Sequence, residues 1–228
     1  MCGRYTLRRI DLIRGGFDAS LLPSFEEFTE RPRFNIAPSQ AIPVVRLDAS
    51  GKRVLGTVRW GLIPSWTKGK PKNQPINARA ETLATSGMFR QAFERRRCLV
   101  PADGFYEWRK LADSKTKQPM FVHRRDDGVF AFAGLWERWR PDPDAEPVDT
   151  CTIITTTPNE LMAPIHDRMP VILDPADYPR WLDRDTPAAD VAGLLRPYPP
   201  DAMEARPVST KVNSPRNDDE ECVKPLAD

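Results

Sequence analysis

Residues 42–60, IPVVRLDASGKRVLGTVRW, decide the fold class. Two runs rich in β-branched residues, 42–47 and 54–60, flank Asp48-Ala49-Ser50-Gly51, whose residue types suit the turn of a β-hairpin. Residues 98–101, 105–108, 120–124, 130–135, 151–157, 170–173 and 203–207 read as further short strands. Residues 3–7 read as a strand, 8–17 as a short helix ended by Gly15-Gly16, and 31–38 as irregular. Helical patterns cover 80–97 (in one piece or two, broken near Ser86-Gly87), 174–182 with Asp174 as N-cap, and 188–195. Strands and helices do not alternate regularly. The expectation is α+β: a single domain over 1–228 with a mainly antiparallel, barrel-like β-sheet core and short peripheral helices.

A chain of 228 residues can bury a substantial core. Its 24 prolines are about twice the usual share, and their scatter implies many ordered turns. A net charge of +2 does not announce nucleic acid, so any basic footprint must come from local clustering. Residues 68–72, KGKPK, are such a run, and solvated surface is its ordinary meaning. Residues 141–147 form a charged, proline-rich loop. Cys2, Cys98, Cys151 and Cys222 are far apart, with no C-x-x-C pair and no histidine at ligand spacing. Neither a zinc site nor a disulfide framework is expected, and no metal or cofactor. No apolar run reaches the ~18–20 residues of a membrane span, and no leader precedes the domain. A cytoplasmic protein with reduced thiols, away from membranes, is the expectation.

Four polar groups stand out. Loss of Met1 would leave Cys2 with an α-amine beside its thiol, a pair that condenses with an aldehyde first to an imine and then to a thiazolidine ring. Cys2 could equally be incidental on a frayed terminus. Asn77, in NARAET (77–82), reads either as a helix N-cap or as a group that orients a developing oxygen charge. Arg79, two residues on, would suit a phosphate at a helix start. Glu107, in GFYEW (104–108), sits between aromatic residues, where desolvation disfavours the charged form and suits proton exchange near neutrality. It could instead pair with an arginine or face outward. His166, in the loop PIHDRMP (164–170), is structural or catalytic, whereas His123 reads as a surface or packing residue. These parts could make and break an imine. They would also serve a peptidase in which Cys2 thiolate and His166 act as nucleophile and base, and spacing does not decide.

MCGRY (1–5), WGLIPSW (60–66), NARAET, GFYEW and IHDRMP (165–170), in that order, resemble the SOS response-associated peptidase (SRAP) family. The resemblance implies an α+β fold with a positively charged groove. It implies covalent reaction with abasic sites in single-stranded DNA and at strand junctions, after Met1 has left by self-cleavage. Cys2 would form the thiazolidine, Glu107 would act as general acid/base, His166 would assist proton transfer to the sugar, and Asn77 would hold the reacting terminus. Arg4, Arg79 and Arg168 would grip phosphates, while Trp66 and Trp108 would wall the displaced sugar or stack on bases. A bacterial, monomeric form is implied, nucleoid-associated when DNA-bound. Residues 212–223, VNSPRNDDEECV, resemble the family's closing stretch and are expected to pack back onto the domain. A cysteine peptidase acting on other proteins, and a module that binds modified DNA without reacting, are the competing readings.

Overall fold

The computed structural model describes residues 2–28, 31–111 and 116–226; Met1 lies outside them. In chain order the strands begin with β1 (Tyr5–Leu7), β2 (Ser20–Leu21), β3 (Arg33–Ile36), β4 (Ala41–Leu47) and β5 (Arg53–Trp60). Next come β6 (Asn77–Arg79), β7 (Arg97–Ala102), β8 (Gly104–Lys110), β9 (Lys117–Arg124) and β10 (Phe130–Trp139). The last are β11 (Val148–Thr156), β12 (Met169–Pro170), β13 (Ile172–Leu173) and β14 (Met203–Pro207). Helices are short: α1 (Ile10–Gly16), α2 (Pro23–Phe28), α3 (Arg90–Arg95), α4 (Tyr178–Leu182) and α5 (Ala188–Val191). Among the described residues no helix is long and apolar enough to cross a membrane.

The hairpin forms as read, with Val44 of β4 opposite Gly56 of β5. Asp48 Oδ1 closes its turn by accepting the amide N–H of Ser50 at 2.8 Å and of Lys52 at 3.0 Å. Gly51 takes φ +82°, a left-handed conformation that costs glycine little. From this hairpin the hydrogen-bonded order runs β5-β4-β7-β10-β11, and β11 returns to β5 in parallel, Cys151 opposite Trp60. The five strands therefore close into a barrel, which removes open edges along that ring. Because β11 has strands on both sides and layers on both faces, its residues 150–156 are all buried, matching the β-branched run.

A second sheet, ordered β14-β9-β8-β1-β3, lies against the barrel. Tyr5 of β1 joins the two layers, its ring edge-on to Trp60 at 5.6 Å and to Phe132 at 6.0 Å. Asp103, fully buried at the corner between β7 and β8, fixes the chain leaving β1. It accepts from Thr6 Oγ1 (2.5 Å), Arg8 Nε (3.0 Å), and the amides of Arg8 and Arg9. Asp103→Ala strands those donors in a dry corner, so urea unfolding should show a loss of about 3 kcal/mol.

Three local expectations are corrected. Residues 31–38 are not irregular: β3 pairs with β1 and receives carboxylate support from Asp218, nearly two hundred positions away. The 80–97 helix is reduced to one tight turn, Ala80–Thr82, and α3. Hydroxyls compete with the helical ladder there: Thr85 Oγ1 donates to the Thr82 carbonyl and Ser86 Oγ accepts the Met88 amide, each at 3.3 Å. Residues 170–173 split into β12 on β11 and β13 on β10, because Val171 donates to the Ile154 carbonyl (2.9 Å) as the chain changes partner.

Candidate active site

Strand pairing brings the first and fourth motifs together. Tyr5 lies opposite Phe105, and the Tyr106 amide donates to the Arg4 carbonyl at 3.0 Å, so residues 2–5 run beside β8. Cys2 is fully buried, its Sγ 3.9 Å from the Arg4 carbonyl oxygen. Burial pushes the Cys2 thiol far up, and the nearby Glu107 adds to it, so the group is S–H at neutral pH. Glu107 itself is 2 % exposed, on β8 opposite Met120. The structure thus buries a thiol and a carboxylate in one neighbourhood.

Further candidate residues gather at the C-terminal end of β11. There β6 pairs parallel, Asn77 opposite Ile153 and Arg79 opposite Thr155, while β12 pairs antiparallel on the other side. Asn77 is therefore a strand residue and not a helix cap. Its Nδ2 reaches the Ile153 carbonyl at 3.4 Å, and its Oδ1 is buried with no hydrogen-bond partner among the described residues. His166, in the loop before β12, has two neighbours at Nδ1: the Arg168 amide at 3.0 Å and the Asp167 carboxylate at 2.9 Å. Neutral imidazole accepts from the first and imidazolium donates to the second, so both states of the ring have a partner.

The five expected DNA contacts differ in their freedom. Arg79 is exposed. Arg168 is held: Nη1 and Nη2 fork onto Glu81 at 2.7 and 2.9 Å, and Nη2 also reaches the Thr155 carbonyl at 2.6 Å. That fork holds the Glu81 carboxyl below its ordinary range. Trp66 is 62 % exposed and lines a cavity of about 430 Å³ with Lys68, Lys70, Lys72 and Met88. The basic run is therefore a cavity wall as well as solvated surface. Arg4 and Trp108 face the C-terminal segment. Strand pairing sets Asn77 and Arg79 beside β11 and residues 4–6 beside β8, and Cys2, Ala78 and Ile154 belong to one continuous core.

Residues 1–215 match the family model described as SOS response associated peptidase (SRAP).

The chain belongs to the SRAP family.

Its relatives include the abasic site processing proteins YoqW and YoaM of Bacillus subtilis. YoqW is 48% identical across 98% of this chain and 99% of its own length, and YoaM 47% across 98% and 97%. The abasic site processing protein HMCES of Gallus gallus is 35% identical over 86% of this chain and 67% of its own. A crystal structure of a protein from Bacteroides thetaiotaomicron superposes with a TM-score of 0.88 at 25% identity, covering 99% of this chain and all of the other.

In this SRAP chain the closing segment packs back as expected, and it does so on the site. Arg4 Nη1 donates to the Val212 carbonyl (2.6 Å) and to Asn35 Oδ1 (2.9 Å), and Nη2 to the Asn213 carbonyl (3.1 Å). Trp108 Nε1 donates to Asn213 Oδ1 at 2.7 Å. Buried Asn35 donates to the carbonyls of Val212, Ser214 and Asn217, and Asp218 accepts the amides of Phe34 (2.6 Å) and Asn35 (2.8 Å). Sequence reasoning missed Asn35, Asp103 and Asp218. The available signal was a lone polar residue inside an apolar run, RFNI for Asn35 and VPADGF for Asp103.

Burial alone would raise the Asp218 carboxyl, but the Arg33 guanidinium (2.5 Å) and the Phe34 and Asn35 amides outweigh it and hold it below its ordinary range. A depressed folded value means that this stability is present above the unfolded value of about 4 and is lost as pH falls through the folded one. Asp218→Asn should accordingly lower stability at neutral pH and flatten its dependence on pH below about 4, read by urea unfolding across pH.

Proposed function

We propose that this SRAP protein captures abasic sites in single-stranded DNA, including those at strand junctions, as a thiazolidine on Cys2. The observation that carries the reading is the full burial of the Cys2 thiol on the strand edge next to β8, whose Glu107 is also buried and close enough to act on it electrostatically. Hydrolysis of the Met1–Cys2 peptide bond consumes one water, releases methionine and frees the α-amine. The abasic deoxyribose opens to an aldehyde, the amine adds to its carbonyl carbon, and loss of water leaves an imine. The Cys2 S–H then adds across C=N: sulfur bonds to carbon and the proton ends on nitrogen. A protonated thiol suits this addition. A peptidase acting on other proteins needs a thiolate, and the raised Cys2 thiol works against it.

Each step moves a proton, and Glu107 is the carboxylate placed to accept and return it. Asn77 Oδ1, buried and without a hydrogen-bond partner among the described residues, suits an N–H of the new α-amine. His166 serves the sugar oxygens. Arg79 supplies an exposed guanidinium for phosphate, Trp66 and Trp108 supply stacking faces, and Arg4 and Arg168 hold those elements in place as well as adding positive charge. On this reading residues 1–228 act as one monomeric unit at bacterial DNA, without a cofactor.

Incubation with abasic single-stranded DNA should give a band shift on a denaturing gel that is lost in Cys2→Ala and absent with intact DNA. A non-reacting binding module would give no shift. Arg79→Glu should act on binding first, lowering affinity about tenfold and the salt slope by about 1, with crosslinking at saturating DNA retained. Loss of crosslinking at saturation with affinity intact would remove Arg79 from the phosphate role.

A further inference from the structure

At one rim of the barrel, where β4 and β10 end and β11 begins, Arg46, Arg95, Arg96, Arg138 and Arg184 line a cavity of about 400 Å³ with Trp136. None of these residues belongs to the five motifs. Carboxylates answer three of the guanidiniums: Asp149 pairs with Arg46 (2.8 Å) and Arg138 (2.7 Å), and Glu137 with Arg96 (2.6 Å). Arg184 donates to the carbonyl oxygens of Leu47 and Asp48 and, among the described residues, to no carboxylate. Arg95, in the last turn of α3, is exposed, and its side chain has no hydrogen bond among the described residues. The Asp48 carboxylate, also on the wall, is taken up by its own turn amides. Behind the wall lies Arg97, 4 % exposed, its guanidinium satisfied by the carbonyls of Phe93, Trp181 and Thr186.

Positive charge is thus left over on Arg95 and Arg184, beside an Arg46 that the fold fixes in place. Burial first, then Arg138 and Arg184, lower the pKa of Arg46 despite Asp149. Arg46 also lies flat against Trp136, 4.1 Å from the ring centroid, so little side-chain freedom remains to be lost on binding an anion. Preset guanidinium forks match phosphate oxygens better than lysine does. From Arg97 at this rim, β7 runs about 17 Å to Ala102 before the Asp103 corner leads into the strand of Glu107.

We propose that this arginine cavity is a second phosphate site, which takes the backbone of the DNA strand running away from the lesion. The proposal rests on the DNA reading above, and the test separates the two. Anisotropy with undamaged single strands of about 8 and about 30 nucleotides compares wild type with Arg95→Glu/Arg184→Gln. The long strand should lose about tenfold in affinity and about 2 in salt slope, with the short strand unchanged. Crosslinking of a short abasic strand at saturation should stay at the wild-type level. Unchanged long-strand binding, or equal losses for both lengths, would overturn the proposal. So would a rise in melting temperature with inorganic phosphate that the variant loses while long-strand affinity holds, which assigns the cavity to a free ion. Should the double variant melt early, Arg95→Glu alone carries the comparison, because that side chain is exposed. Failure of wild type to crosslink abasic DNA would sink the proposed function and leave the length dependence readable.

Discussion

Glu107→Gln is expected to slow crosslinking to abasic single-stranded DNA by about 10²–10⁴, with affinity for the same strand changed less than about twofold. The amide keeps the size and one hydrogen-bond acceptor of the carboxylate but cannot take and return a proton. Glu107 is 2 % exposed and lies in β8, held in register between β1 and β9, so DNA need not touch it to be bound. The two observables therefore separate: single-turnover gels read the chemistry and anisotropy reads the binding. Equal losses in both would mean that Glu107 supports the DNA surface, and the proton-transfer role would fall.

The second large effect is at Cys2 itself. Cys2→Ala should lower the yield of heat-stable crosslink by about 10² or more while leaving an imine that borohydride traps, because the α-amine survives and only ring closure is lost. A small destabilisation should accompany it, since Cys2 is fully buried beside β8 and removing the sulfur leaves a void. Borohydride trapping separates this account from a simple folding defect. A variant that folds, binds DNA and yields nothing to trap would show that the α-amine is not the first nucleophile.

What the chain discloses without coordinates follows the range of its interactions. The hairpin of β4 and β5 is legible because its strand residues and its Asp48–Gly51 turn are neighbours in sequence. β3 was hidden because its amides find Asp218 close to the other terminus, and a local reading of 31–38 sees only two prolines. The helix expected over 80–97 has the apolar stripe, yet Thr85 and Ser86 hydroxyls and the pairing of β6 with β11 draw the chain elsewhere. Among candidate site residues, Cys2, Asn77, Glu107 and His166 were legible as polar groups out of place. Their grouping was not, because it depends on β1 lying beside β8 and β6 beside β11. Arg4 and Arg168 read from sequence as free cations. Folding instead gives each a set of internal acceptors, so their charge acts through a fixed geometry. The arginine rim was invisible because its five guanidiniums come from four separate parts of the chain.

Intact mass of the wild-type protein after incubation with an abasic oligonucleotide tests the central claim most directly. The account predicts one new species: the chain without its initiator methionine, plus the oligonucleotide, minus one water, formed without reductant and stable to heat. An adduct that still carries Met1 would contradict it, since a blocked amine cannot close the ring on Cys2.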